Sequence, residues 1–195
     1  MNFNKVLILG STYLAQLIVD RLQQSKYELV GYVESRRTPV SGNIDLPIVD
    51  FNVEYDIALC LQYDKFIPNP KNIYNLHTGL LPNYGGLDIL RHTVKEGAVE
   101  QGMTFHKMGK TYDYGPIISK ITYPVLDTDT VKDLYFKQCS IAPNFVLSCL
   151  KLLEAMDEQD IDKCFVKEPR ILEREFQKTP FELSEREELF LENNI

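Results

Sequence analysis

The sequence predicts an α/β fold, a Rossmann-like, mostly parallel sheet flanked by helices, and three observations carry that expectation. Short aliphatic runs that stop at a glycine or a polar residue, KVLIL at 5–9 and DIALCL at 56–61, have the composition of strands buried on both faces. The segment after the first of these places Leu14, Leu17, Ile18, Val19 and Leu22 on one helical face, and a strand-like run at 28–33 follows, which makes a β-α-β opening. A long apolar stripe at helical spacing then runs from Val131 to Leu153. A chain of 195 residues holds one well-buried core and is short for two ordinary domains. The expected organisation is therefore a body over 1–153 and an acidic extension over 154–195.

Taken in order, Ser11 or Thr12 is the expected cap of the first helix. A short candidate strand lies at 46–49, the firmer one at 56–61, and another at 74–76. Between the last two, QYDKFIPNPKN contains Pro68 and Pro70, which forbid a long helix, while Tyr63, Phe66 and Ile67 fit either an apolar cleft or simple core packing. Asp88 is the expected N-cap of a helix running to Glu96, with Ile89, Leu90 and Val94 inward and His92 on the surface. Strands are expected at 101–106 and 116–125, separated by the loop KMGKTYDYG. The long helix should start after Asp129 or Thr130 and be interrupted and kinked at Pro143. Ser184 followed by Glu187 has capping-box spacing and predicts a last helix near 185–192.

Charge narrows the function. The first 153 residues hold 15 acidic and 15 basic side chains, whereas 13 acidic and 6 basic residues follow from Glu154 on, so all of the net −7 sits in the extension. Phosphate-neutralising proteins carry a basic stripe, and none is visible; a small-molecule substrate is expected rather than a nucleic acid. No apolar run approaches the length that spans a bilayer, and the N-terminal MNFNKVLILG reads as a strand, so a cytoplasmic protein without membrane contact is expected. Cys60, Cys139, Cys149 and Cys164 lack C-x-x-C spacing, which predicts free thiols rather than a zinc knuckle or a disulfide scaffold, and no metal-ligand cluster is visible.

The chemistry concentrates in two stretches, YNLHTGLLPNYGG at 74–86 and GMTFHKMGKTYDYGPII at 102–118. Asn75 and His77, two residues apart on a strand, point to the same side. An attack by a primary amine on a formyl carbonyl needs an oxyanion stabilised and a proton moved. The Asn75 amide can donate without titrating, His77 can donate a hydrogen bond or a proton, and Asp113 can orient His77 or take the amine's proton through water. On the residues alone the same groups also fit a hydrogen-bonded strand end and a Tyr-Asp-Tyr-Gly turn. Likewise, Gly10-Ser11-Thr12 before a helix fits either a plain structural turn or a phosphate contact. Glu34 stands where a ribose-binding acid could fall, but the G-x-G-x-x-G pattern is missing.

Asn75-Leu76-His77, Leu80-Leu81-Pro82, Gly86, Gly102-Met103-Thr104-Phe105-His106 and Asp113-Tyr114-Gly115-Pro116-Ile117-Ile118, in this order, resemble the formyltransferase family that uses 10-formyltetrahydrofolate. That family includes phosphoribosylglycinamide, methionyl-tRNA and sugar N-formyltransferases. The resemblance spans roughly 1–153 in element order and implies the formyltransferase fold. It implies that Asn75, His77 and Asp113 are catalytic, and that Tyr63, Lys65, Phe66 and Ile67 together with Gly109, Lys110 and Tyr112 cradle the folate co-substrate. Gly10, Ser11 and Tyr84 are assigned to the acceptor. Where the family has Pro-Ser after the histidine this chain has Thr78-Gly79, which is expected to loosen the turn. The glycine-rich phosphate loop of the phosphoribosylglycinamide enzymes is reduced here to Gly10-Ser11-Thr12, and the acidic extension does not resemble a tRNA-binding barrel. The resemblance therefore points to formyl transfer onto the amine of a dTDP- or UDP-linked amino sugar, with the extension serving packing or homodimer formation. A phosphoribosylglycinamide formyltransferase and a non-catalytic folate- or nucleotide-binding protein on the same scaffold are the competing expectations.

Overall fold

The computed structural model describes residues 3–35, 42–68 and 70–173. The aliphatic run Lys5–Leu9 forms β1, Glu28–Val33 forms β2, Ile57–Cys60 forms β3 and Ile73–His77 forms β4, all parallel. After the two-residue β5 at Gly85–Gly86, two longer strands extend the sheet, Glu100–Lys107 (β6) antiparallel to β4 and Ile117–Pro124 (β7) antiparallel to β6. The six-stranded order is β2-β1-β3-β4-β6-β7. From β1 the chain steps outward to β2 and then returns across to β3, so the loops leaving the carboxyl ends of β1 and β3 diverge and open a crevice there, the position where α/β sheets receive ligands.

One face of the sheet is covered by helices. Helix α1, Tyr13–Gln23, begins where the Thr12 hydroxyl accepts from the Ala15 N–H (3.2 Å). Helix α3, Val131–Ala155, begins in a reciprocal box between Thr130 and Asp133. Both present the stripes expected of them: Leu14, Ile18 and Leu22 of α1 meet Tyr135, Ala142, Val146 and Leu150 of α3 in one fully buried cluster. Burial of each such aliphatic side chain is worth about 2 kcal/mol. From the sheet, Tyr74 of β4 and Phe105 of β6 stack at 5.7 Å in the same cluster. The opposite face, with Leu7, Leu9, Ala58, Cys60 and Ile73, is covered by residues from loops, among them Val49, Tyr63, Ile67 and Met108. No helix among the described residues is long and apolar enough to cross a membrane.

Several expectations change. The candidate strand at 46–49 is a single bridge, Tyr32 to Ile48, because Ile48 points outward and is 65% exposed. Pro143 does not end α3, which is continuous over 25 residues; packing of Ala142 and Phe145 beside it holds the helix through the lost hydrogen bond. Helix α2, Ile89–Lys95, starts after Asp88 as expected, but Asp88 has a left-handed backbone (φ 53°) and its side chain makes no cap bond. Ile89 is buried and Leu90 packs against the core as expected, but His92 is buried and Val94 exposed. Three elements were not anticipated, the two-residue strand β5, the short helix α4 at Glu158–Asp162, whose Ile161 enters the main core, and the strand β8 at Ile171–Leu172, which pairs parallel with β5. The expected helix near 185–192 lies outside the described residues.

Candidate active site

Strand β4 carries Asn75 and His77 on the face opposite Tyr74 and Leu76, which are core residues. The antiparallel register sets His106 of β6 beside Asn75 and Thr104 beside His77. Two imidazoles, an amide and a carboxylate are thereby brought to one end of the β4–β6 pair.

The hydrogen-bond partners fix the proton inventory. His77 Nε2 lies 2.5 Å from the carbonyl oxygen of Tyr84, which can only accept, so Nε2 carries hydrogen. His77 Nδ1 lies 3.1 Å from Asp113 Oδ1, while Asp113 Oδ2 accepts from the Gly86 N–H at 2.7 Å. Burial favours the neutral ring, but the charge and hydrogen bond of Asp113 and the Tyr84 carbonyl outweigh it and hold His77 above the ordinary histidine value. For Asp113 burial acts upward, and the charge of His77, its hydrogen bond and the Gly86 N–H bring the carboxyl below its ordinary range. Both shifts favour the charged pair, an imidazolium facing a carboxylate. Asp113 holds its place in a left-handed turn (φ 52°), a conformation that Asp tolerates better than most residues.

His106 is the counterpart. Its Nδ1 lies 3.1 Å from the Lys107 carbonyl and must donate, which leaves Nε2 as the acceptor for the Asn75 amide at 3.1 Å. Burial, and after it the charge of His77, push His106 down to about 4. A neutral His106 fixes which way the Asn75 amide points, since only Nδ2 can serve that acceptor, and the second N–H of the amide is left for a ligand. Sequence reasoning named His106 in the second stretch without assigning it to the site; the signal that finds it is the β4–β6 register.

The turn after His77 is braced rather than loosened. The Gly79 carbonyl accepts from the Thr104 hydroxyl (2.7 Å) and the Thr78 carbonyl from the Gln138 amide (3.0 Å). The Leu81 N–H donates to Thr104 Oγ1 (3.0 Å), the Leu80 N–H to Gln101 Oε1 (3.3 Å), and the Lys120 ammonium to the Leu81 carbonyl. A side chain at Gly79 would stand 2.5 Å from the Tyr84 oxygen and 2.8 Å from His77 Nε2, so glycine is what admits the carbonyl to the imidazole.

The two loops expected to cradle a folate meet each other: the rings of Phe66 and Tyr112 are 5.4 Å apart, both well exposed. Tyr63 and Ile67 pack against the sheet beneath them, Lys65 and Lys110 are exposed, and the Gly109 N–H closes its loop on the Tyr114 carbonyl (2.8 Å). Gly10 and Ser11 sit at the end of β1 with their polar groups engaged, Gly10 N–H on the Val33 carbonyl and the Ser11 hydroxyl on the Ser35 carbonyl (2.9 Å). The Tyr84 hydroxyl donates to Glu96 (3.0 Å), and it is the tyrosine's backbone carbonyl that enters the site. The four cysteines are free thiols, and no group of residues that could hold a metal ion occurs among the described residues. Cys60, beside Asn75 in the β3–β4 register, is buried and pushed up to about 12, so it is an inert thiol at neutral pH.

An α/β sheet that delivers an amide, an imidazolium and a carboxylate to its edge defines a class of group-transfer domain. A family model described as formyl transferase matches residues 48–149, more than half of the chain, and the chain belongs to the formyl transferase family. A methionyl-tRNA formyltransferase of Buchnera aphidicola is 24% identical over 74% of this chain and 57% of its own length. The chain spans about half the length of the curated methionyl-tRNA formyltransferases that it matches first. Among solved structures, the N-formyltransferase of Helicobacter canadensis in complex with folinic acid and dTDP-3-aminofucose superposes with a TM-score of 0.68 at 19% identity, over 78% of this chain and 65% of that one. Glycinamide ribonucleotide transformylase 1 of Symbiobacterium toebii gives 0.66 at 21% identity, over 81% and 92%. At these identities the likeness is one of fold.

Proposed function

We propose that the chain transfers the formyl group of 10-formyltetrahydrofolate to the primary amine of a dTDP- or UDP-linked amino sugar. The observation that carries the transfer chemistry is the pairing of an oriented amide, Asn75 on His106, with a charged dyad, His77 on Asp113. The amine nitrogen bonds to the formyl carbon, the bond from that carbon to N10 breaks, and the proton lost by the amine ends on N10, so the exchange balances. In the tetrahedral intermediate the formyl oxygen carries negative charge. The free N–H of Asn75 meets it, and the His77 imidazolium supplies a positive charge whose position is fixed before reaction. Asp113 keeps that charge in place and, through water, relays the amine's proton. The loops of Phe66 and Tyr112 form the folate side.

The acceptor is argued from the diverged Gly10-Ser11-Thr12 loop and from the fold likeness to an enzyme solved with dTDP-3-aminofucose. In this reading the catalytic body is 1–153, and 154–195 is an extension for packing or dimer formation. A specific observation favours glycinamide ribonucleotide as a second acceptor: the chain covers 92% of the Symbiobacterium transformylase, a much closer match in extent than to the curated relatives. Incubation with the folate donor and a panel of 3-amino and 4-amino dTDP- and UDP-sugars, glycinamide ribonucleotide and methionyl-tRNA decides between them. Turnover of a nucleotide sugar is the expected result, turnover of glycinamide ribonucleotide alone selects the second reading, and no turnover of any amine overturns the enzymatic one.

A further inference from the structure

The loop 82–87 touches the charged dyad at both ends, through the Tyr84 carbonyl on His77 and the Gly86 N–H on Asp113. Its own bonds are confined to its start, where the Asn83 and Tyr84 N–H groups donate to the Leu80 carbonyl (3.0 Å each), and β5 is only two glycines long. What holds it is a segment some 85 residues further along the chain and outside the family match. The Arg170 N–H donates to the Pro82 carbonyl (2.7 Å), the Gly85 N–H to the Arg170 carbonyl (3.0 Å) and the Leu87 N–H to the Leu172 carbonyl (3.2 Å). The approach is close enough to need glycine: a Cβ on Gly85 would stand 2.9 Å from that of Pro169, and one on Gly86 would collide with the Leu172 backbone. Side chains repeat the contact, because Glu96 accepts both from the Arg170 guanidinium (2.7 Å) and from the Tyr84 hydroxyl (3.0 Å). The segment is itself anchored on both sides, by Ile161 in the core and the Ile117 N–H on the Phe165 carbonyl before it, and by the His92 ring on the Glu173 carbonyl after it (3.1 Å).

We infer that residues 169–172 are a strap that positions the His77–Asp113 dyad by clamping the 82–87 loop, with Arg170 as its positioning residue. The strap touches neither reacting atom. It decides where the Tyr84 oxygen and the Gly86 N–H stand, and these two groups, with the dyad's own contact, decide where the imidazolium charge stands. Misplacement of such a charge by a fraction of an ångström is enough to slow transfer. An exposed pair such as Arg170–Glu96 contributes little by itself, so the backbone bonds are the larger part of the clamp and the guanidinium the smaller.

The test compares full-length Arg170→Pro, which removes both the N–H on Pro82 and the guanidinium, with Arg170→Ala and Arg170→Lys, which keep the backbone bond. The kinetic arm rests on the formyl-transfer reading, with the amine found to turn over. Arg170→Pro is expected to lower kcat about 30-fold and Arg170→Ala about 3-fold, with KM for the folate donor within about twofold and Arg170→Lys close to wild type. The second arm needs no substrate. The imidazole of His77, facing Asp113 and the Tyr84 carbonyl with the buried His106 nearby, is titrated by NMR, and its midpoint in Arg170→Pro should fall toward the ordinary histidine value. Core methyl spectra that match wild type establish that the variant is folded; if it is not, Arg170→Ala carries the same NMR comparison with a smaller shift expected. A His77 midpoint unchanged in the folded variants overturns the strap, whatever the acceptor proves to be. A shifted midpoint without turnover of any amine retains the strap and removes the enzymatic reading.

Discussion

Two imidazoles lie in this site, both withdrawn from solvent and different in charge. His77 is 7% exposed and His106 1%, so burial pulls both toward the neutral form. What separates them is the third partner. Asp113 bonds His77 directly and gives it a counter-charge, while His106 bonds only an amide and a carbonyl, and the repulsion of the positive His77 outweighs the pull of Asp113 on it. One ring is thus a fixed cation, and the other an uncharged acceptor that aligns Asn75. The lesson is that depth alone does not assign protonation in a buried site, and that two histidines can divide the proposed oxyanion site into a charge and a template for a neutral donor.

The comparison breaks most completely when the counter-charge is removed. Asp113→Asn leaves a hydrogen-bonding group of the same shape but no negative charge, so burial should win and His77 become neutral. We expect kcat/KM for formyl transfer to fall about 1,000-fold, with the His77 midpoint in NMR moving down. In the wild type the sign is set by both partners. His77 loses its proton only above the ordinary histidine value, and Asp113 gains one only below the ordinary carboxylate value, so kcat/KM should decline on an alkaline limb above the first and on an acidic limb below the second. An alkaline limb that stays put in a residually active Asp113→Asn would show that it belongs to another group. Removing the neutral donor costs less: Asn75→Ala should lower kcat about 100-fold with the His77 titration unchanged, and a shift of that titration would mean that the two halves are not separate.

How much of this was visible in the sequence depends on which kind of signal each element left. Strands β1 to β4, β6 and β7 were legible because aliphatic runs and alternation stop at glycine or polar residues, and α1 and α3 because their stripes are long. Asn75, His77 and Asp113 were named before any contact was known. Strands β5 and β8 were not legible, since Gly-Gly and Ile-Leu carry no period and exist only through each other. The burial of His92 in place of Val94 has the same origin: seven residues give a weak stripe, and His92 and Thr93 turn inward for partners at Glu173 and Gln101. Tyr84, assigned to the acceptor, reaches His77 through its backbone carbonyl, a role that any residue type could fill and composition therefore cannot show. Likewise, Thr78-Gly79 reads as a loosened turn until Thr104, Gln101 and Gln138 are brought to it by the fold.

The smallest expected effect concerns stability rather than rate and isolates His106. Its folded value lies near 4, whereas an unfolded histidine titrates near the ordinary 6.5, so the unfolded chain binds the extra proton across that window. Stability contributed by the neutral ring is therefore intact above pH 6.5 and is lost as the pH falls toward 4. Between pH 7 and pH 5 the loss from this group alone is about 2 kcal/mol. His77 works in the opposite direction, since its raised value makes the folded state the better proton binder, and its share is fully present once the pH is below 6.5. The two are separated by comparing the wild type with His106→Gln, whose amide can still accept from Asn75 but does not titrate. Urea unfolding at pH 7 and pH 5 should show the wild type losing about 2 kcal/mol more than the variant. Equal losses would mean that His106 is already protonated in the folded state at pH 5, and an Asn75 amide facing an imidazolium there would have to turn its oxygen toward His106 and could no longer present the donor arrangement on which the neutral half of the site depends.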